Sequence, residues 1–163
     1  MTARLRPRAA IDLPWALAVL AMVAIIWGNS LVPGTGSSEI SLAVRDAVRA
    51  ALDAVGLPSG WVSNFLVRKA GHFIEYALLG ALVFRAAAPG IVSRRGLIAP
   101  AVAFLVLVPC IDEGIQRTVA GRVGQIPDVG LDCCGAAFGF MIAMLAAHAV
   151  AARCREREAC STD

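Results

Sequence analysis

The chain predicts an all-α membrane fold: a polytopic bundle of four transmembrane helices with an amphipathic surface helix between the first and second. Three observations lead there. The 163 residues are 58 % hydrophobic and 17 % charged, with a mean hydropathy of +0.72, whereas soluble domains carry roughly a quarter charged residues. Apolar runs recur that are long enough to cross a hydrocarbon core of roughly 30 Å. Between two of them, from Cys110 to Gly139, stand Asp112, Glu113, Gln116, Arg122, Asp128 and Asp132. A charge at a helix centre in lipid costs roughly 2.5 to 3.5 kcal/mol on insertion scales, so such residues pair, face a wet cavity or work.

A single membrane domain over 1–163 is expected, with transmembrane segments at about 13–32, 65–88, 97–116 and 128–150. Arg4, Arg6 and Arg8 precede the first run. That run exceeds a signal-peptide core of roughly 7 to 15 residues and no A-x-A site follows it, so it reads as a helix that stays. Pro33, Gly34 and Gly36 break it, and Ser37 or Ser38 offers an N-cap for the next helix. From Ile40, apolar Val44, Ala47, Val48, Ala51, Leu52 and Val55 recur at helical steps, with Arg45, Asp46, Arg49 and Asp53 on the other face. This helix is too charged to span and fits the membrane surface, as a lid or brace, until Gly56 and Pro58 end it.

The second crossing carries Lys69, His72 and Glu75 on nearly one face. Arg94, Arg95 and Gly96 make a short basic turn. The third contains Pro100 and Pro109, each expected to remove a helix hydrogen bond and kink the axis. The fourth opens with Asp128 and Asp132 one turn apart and continues GAAFG, a small-residue pattern that lets helices approach closely.

Four crossings put both termini on one side. That side holds Arg4, Arg6, Arg8, Arg85, Arg94, Arg95, Arg153, Arg155 and Arg157, nine basic residues; the other holds Arg45, Arg49, Arg68, Lys69, Arg117 and Arg122, six. The excess predicts cytoplasmic N- and C-termini in a bacterial inner membrane. Acids lean outward, with four inside, Asp163 among them, and eight outside. His72 and Glu75, then Asp112 to Gln116, then Asp128 and Asp132 converge at one outer depth.

The blocks RKAGHFIEYALLGALVFRA, DEGIQ, GR and DVGLDCCGAAFG, over residues 64 to 140, resemble the VanZ-like family of small bacterial membrane proteins. Three polar blocks in the same order within apolar helices make the resemblance specific. It implies a cell-envelope role and, from the founding member, an association with resistance to the glycopeptide teicoplanin, without a reaction. The family's polar pattern falls on Lys69, His72, Glu75, Asp112, Glu113, Gln116, Arg122 and Asp128. Ile115 stands where many relatives carry histidine, and Ala120 replaces a frequent proline.

Two functional classes follow. In the first, an outer pocket binds or modulates a lipid-linked or wall precursor through Lys69, Glu75, Gln116, Arg122 and Asp132, with Arg68 a further anionic contact. The alternative is a membrane hydrolase or transferase in which His72, Asp112, Glu113 and Asp128 form an acid/base cluster. No serine elbow, HExxH or P-loop is present. Proton movement and a purely structural polar network remain open beside them. No cofactor is expected and no residue is assigned to a metal, although a hard divalent ion such as magnesium or calcium fits the carboxylates better than zinc. The five cysteines lack CxxC spacing, and the three in or next to apolar segments read as small hydrophobes. A net charge of +3 without basic runs interleaved with aromatics excludes nucleic acid and leaves the bilayer as the partner.

Overall fold

The computed structural model describes residues 11–92 and 96–160. Five helices follow one another: α1 Leu13–Leu31, α2 Gly34–Ala54, α3 Asn64–Val92, α4 Ile98–Thr118 and α5 Ile126–Cys160. No strand occurs among the described residues. Arg4, Arg6, Arg8, Arg94, Arg95 and Asp163, which enter the charge count above, lie outside them.

Three helices are long and apolar enough to cross a membrane: α1, α4 and residues 126–155 of α5. α3 is long, at 29 residues, but Arg68, Lys69, Glu75 and Arg85 interrupt its apolar character. α1, α3 and α4 each turn one stripe inward. Val19, Val23 and Ile26 of α1 meet Tyr76, Leu79 and Val83 of α3 and Ala101, Leu105 and Val108 of α4 in one core. The three- and four-residue steps are those of a single helix face. Large apolar side chains also point outward, among them Leu17, Leu20, Ile74, Leu78, Val102, Leu107, Ile142 and Leu145. Water does not favour so extensive an apolar exterior; acyl chains solvate it. The molecule is an integral membrane protein.

α3 and α5 lie almost backbone to backbone. A Cβ at Gly80 would collide with the carbonyl of Ala136, and one at Gly139 with the carbonyl of Ala77. At Gly135 it would stand 2.6 Å from the Phe73 carbonyl oxygen. The GAAFG pattern therefore does what small residues do at membrane helix contacts. Edge-to-face packing of Phe84 on Phe140, with ring centroids 5.2 Å apart, flanks the seam.

Several sequence expectations change. α2 begins at Gly34 with Pro33 as its N-cap residue, and no side chain caps it. Ser37 and Ser38 lie inside its first turns, where the Ser38 hydroxyl donates to the Gly34 carbonyl at 2.7 Å. The break after α1 is thus only the Val32–Pro33 corner, because proline starts a helix as readily as it stops one. Pro100 sits in the first turn of α4, where no amide hydrogen bond is lost, so it does not kink the axis. α4 runs unbroken through the buried Pro109. α3 continues past Pro89 to Val92. α5 reaches Cys160 instead of ending near 150, since hydropathy marks where lipid ends rather than where a helix ends.

Candidate functional site

Four helices bring polar side chains to one end of the bundle. α3 supplies Lys69, His72 and Glu75; α4 supplies Asp112, Glu113 and Gln116; α5 supplies Asp128 and Asp132; and α1 ends there with Asn29 and Ser30. Each of the three predicted blocks has its partner in another block or in α1. Lys69 of α3 pairs with Asp128 of α5. Nδ1 of His72 lies 3.5 Å from Oδ1 of Asp132, and Glu75 accepts a 2.8 Å hydrogen bond from Nδ2 of Asn29.

Asp112 and Asp132 are fully buried, and Glu113 and Gln116 nearly so. The Gln116 amide donates to Oδ2 of Asp112 at 3.1 Å and approaches Oγ of Ser30 at 3.3 Å. Glu113 faces the connection between α4 and α5, where its Oε2 accepts the Gln125 backbone N–H at 2.7 Å. Several buried atoms have no hydrogen-bond partner: Nδ1 of His72, the Tyr76 hydroxyl, Oδ1 of Asp112, Oε1 of Glu113 and both oxygens of Asp132. Native interiors rarely leave so many polar atoms together without partners.

Arg122, expected as an anion contact, lines the groove between α2 and α3 and also makes hydrogen bonds to backbone. Its Nε donates to the Val32 carbonyl at 2.8 Å and its Nη2 to the Asn29 carbonyl at 2.6 Å. The guanidinium thus caps the end of α1, taking the Val32 carbonyl and sharing the Asn29 carbonyl with the Val32 N–H. Burial, and then the neighbouring Arg68, lower its pKa, yet a guanidinium keeps its charge in proteins. The loop that carries it is held to the start of α2, with the Gly34 N–H donating to the Ala120 carbonyl at 3.0 Å. Gly121 adopts a φ of 74°, a conformation that glycine takes without penalty.

Beside the cluster a groove of about 510 Å³ opens between α2 and α3. Ile40, Val44 and Val48 of α2 form one wall, and Leu66, Val67, Ala70 and Ile74 of α3, with Trp61 and Val62, form the other. Asn29, Arg68, His72, Glu75 and Arg122 add polar groups to this lining. Among the described residues Arg68 forms no ion pair. His72 belongs to both places: it lines the groove and touches the buried acids.

A protein-family model, VanZ/LLP1, matches residues 15–147, most of the chain. The chain belongs to the VanZ/LLP1 family. No curated protein and no solved structure gave a match. The match in this VanZ/LLP1 chain takes in all of α2 to α4 and most of α1 and α5, so every polar residue above lies inside it.

Asn29, Ser30 and Tyr76 are the site residues that sequence reasoning missed. Asn29 and Ser30 follow the apolar face of α1 in the order WGNS, and Tyr76 is the single tyrosine of the chain. A polar pair in the last turn of an otherwise apolar helix was the available signal.

Proposed function

We propose that this VanZ/LLP1 protein holds an anionic, lipid-linked envelope precursor in the groove between α2 and α3, on the outer face of a bacterial inner membrane. In this reading α3 is a fourth crossing, α2 lies along the outer surface, and both termini are cytoplasmic. Lys69 and Arg85 of α3 are separated by 16 positions, about 24 Å at the helical rise, which suits one charge at each interface. The basic excess on the terminal side supports the orientation.

The observation that carries the proposal is the composition of the groove lining: apolar walls on both sides, with Arg68 and Arg122 against the single acid Glu75, which Asn29 holds. Such a lining suits an amphiphile whose chain lies along the walls and whose phosphate or carboxylate meets a guanidinium. Arg68 is the better anion contact, because Arg122 already spends donors on α1. Binding of a polyprenyl phosphate to purified protein in nanodiscs tests this. Saturable binding that weakens at least tenfold in Arg68→Ala is the expected result; no saturable binding, or unchanged affinity in that variant, would overturn it.

The buried, partnerless acids next to the groove favour a second reading, hydrolysis or transfer on the same ligand with His72, Asp112 or Asp132 moving protons. Turnover of a lipid-linked diphosphate by the same preparation separates it from simple binding. Topology has its own check: Val123→Cys, at an exposed position in the loop between α4 and α5, should react with an impermeant thiol reagent in intact cells. A glycopeptide phenotype is the cellular counterpart, read as a lowered teicoplanin tolerance on deletion.

A further inference from the structure

We propose that His72, Asp112 and Asp132 bind one divalent transition-metal ion. Ligand atoms of the three side chains, a ring nitrogen and a carboxylate oxygen from each acid, lie within 4.8 Å of one another. Tetrahedral ligands at about 2.0 to 2.2 Å from a common ion stand about 3.3 to 3.6 Å apart, so side-chain adjustments of up to about an ångström close the three onto one ion.

Two further observations, independent of that proximity, point to a cation. The first is the pattern of unused atoms. Nδ1 of His72, Oδ1 of Asp112 and both oxygens of Asp132 are buried without a hydrogen-bond donor or acceptor among the described residues. Asp132 and Asp112 are 0 % exposed. On Asp112 the split is informative: Gln116 holds Oδ2, while Oδ1 stays free. A carboxylate fixed through one oxygen with the other left open is how outer residues orient a metal ligand. The Tyr76 hydroxyl, also buried and unpartnered, stands beside Asp112.

The second observation is charge. In the form that ligates a metal, with both acids ionised and the imidazole neutral, the three side chains carry −2, a charge that burial makes costly without compensation. Outside the three side chains the nearby cations are engaged elsewhere, Lys69 with Asp128 and Arg122 with the carbonyls of α1, and within them only the His72 ring, 3.5 Å from Asp132, could carry a positive charge. A divalent ion brings the sum to zero.

The ligand chemistry narrows the ion. Calcium prefers six to eight oxygen ligands, and magnesium keeps several waters, so neither suits a set containing imidazole. One nitrogen and two oxygens suit zinc or manganese, and three protein ligands leave a further position open. The proposed ion thereby departs from the sequence-based preference for magnesium or calcium. This inference does not depend on the ligand proposed for the groove.

The test uses full-length protein purified in detergent, stripped with a chelator, and titrated with zinc chloride and separately with manganese chloride. The expected result is saturable binding of one ion per chain for at least one of these metals, with a raised unfolding temperature. Asp132→Asn should abolish that binding. Gln116→Ala should weaken it by roughly 10- to 100-fold, the usual effect of losing an outer hydrogen bond. Asp46→Asn, on the exposed face of α2, should leave it unchanged. If Asp132→Asn does not yield folded protein, X-ray absorption on the metal-loaded parent decides, since the site requires one imidazole nitrogen among oxygen ligands. Failure of both metals to bind saturably, a sulfur ligand from the cysteines, or unchanged binding in Asp132→Asn would overturn the proposal. Polyprenyl phosphate binding by metal-stripped protein keeps the groove reading separately testable.

Discussion

The two faces of α3 are built in opposite ways. Toward α5 it packs through glycines so closely that added methyl groups would strike backbone carbonyls. Toward α2 it leaves a groove of about 510 Å³ whose apolar walls do not close on each other. α2 is anchored at its ends instead, by the Gly34 N–H on the Ala120 carbonyl and by Arg49, whose Nε donates to the Val62 carbonyl at 2.9 Å. The contrast teaches that one helix serves as both a closed wall and an open one. Its α5 face fixes the polar residues in register, which leaves its α2 face free to accommodate something else.

Substitutions can break that contrast from either side. The largest effect belongs to the α3–α5 seam: Gly139→Leu should prevent recovery of monodisperse protein, because the obstacle is backbone. Gly130→Ala, on the same helix but facing open space, should raise stability by about 0.5 to 1 kcal/mol, the ordinary gain of alanine over glycine in a helix. Equal behaviour of the two would dissolve the distinction.

Next come two acids of α5 one turn apart, which should respond with opposite signs. Asp128→Asn removes the partner of Lys69, whose side chain is 25 % exposed, and should cost about 1 to 3 kcal/mol. Asp132→Asn removes a fully buried carboxylate that accepts no hydrogen bond and has only the His72 ring 3.5 Å away, and should raise the unfolding temperature of metal-stripped protein. Two falls would mark Asp132 as part of a satisfied network.

Glu113 comes third. Glu113→Ala frees the Gln125 N–H and should cost about 1 to 2 kcal/mol, while Glu113→Gln keeps an acceptor oxygen and should cost less. Equal losses in chemical denaturation would detach Glu113 from the loop.

The smallest stability change is expected on the groove side. Val44→Trp, at a position 47 % exposed, should shift stability by less than about 0.5 kcal/mol. It should nevertheless lower polyprenyl phosphate affinity, because it fills the space the chain would use.

What the sequence made legible follows from which signals are local. α1 and α4 appear with nearly their observed bounds, since an apolar run bounded by proline, glycine or charge is visible within a short window. The end of α5 was not, because ARCREREAC loses hydropathy without losing helix-forming residues. The start of α2 was hidden by GTGSS, a poor helix former that contact with the loop from Ala120 to Gly121 holds in place.

The cluster was legible because charge inside apolar helices is costly, and helical spacing put Lys69, His72 and Glu75 on one face. Asn29 and Ser30 raised no such alarm, being uncharged. The position of Arg122 was beyond any spacing rule, since its partners are backbone carbonyls that every residue possesses.

Those carbonyls bear on how the protein is made. Arg122 reaches back across 90 residues to Val32 and 93 to Asn29. A ribosome adding roughly 5 to 20 residues per second reaches Arg122 about 5 to 20 seconds after it has finished α1. Until then the end of α1 must find donors in water or lipid headgroups, and α2 cannot fasten to a loop that has not been synthesised. The first helix enters the bilayer early but is closed off only once the fourth has followed it, so the groove is among the last features of the molecule to assemble.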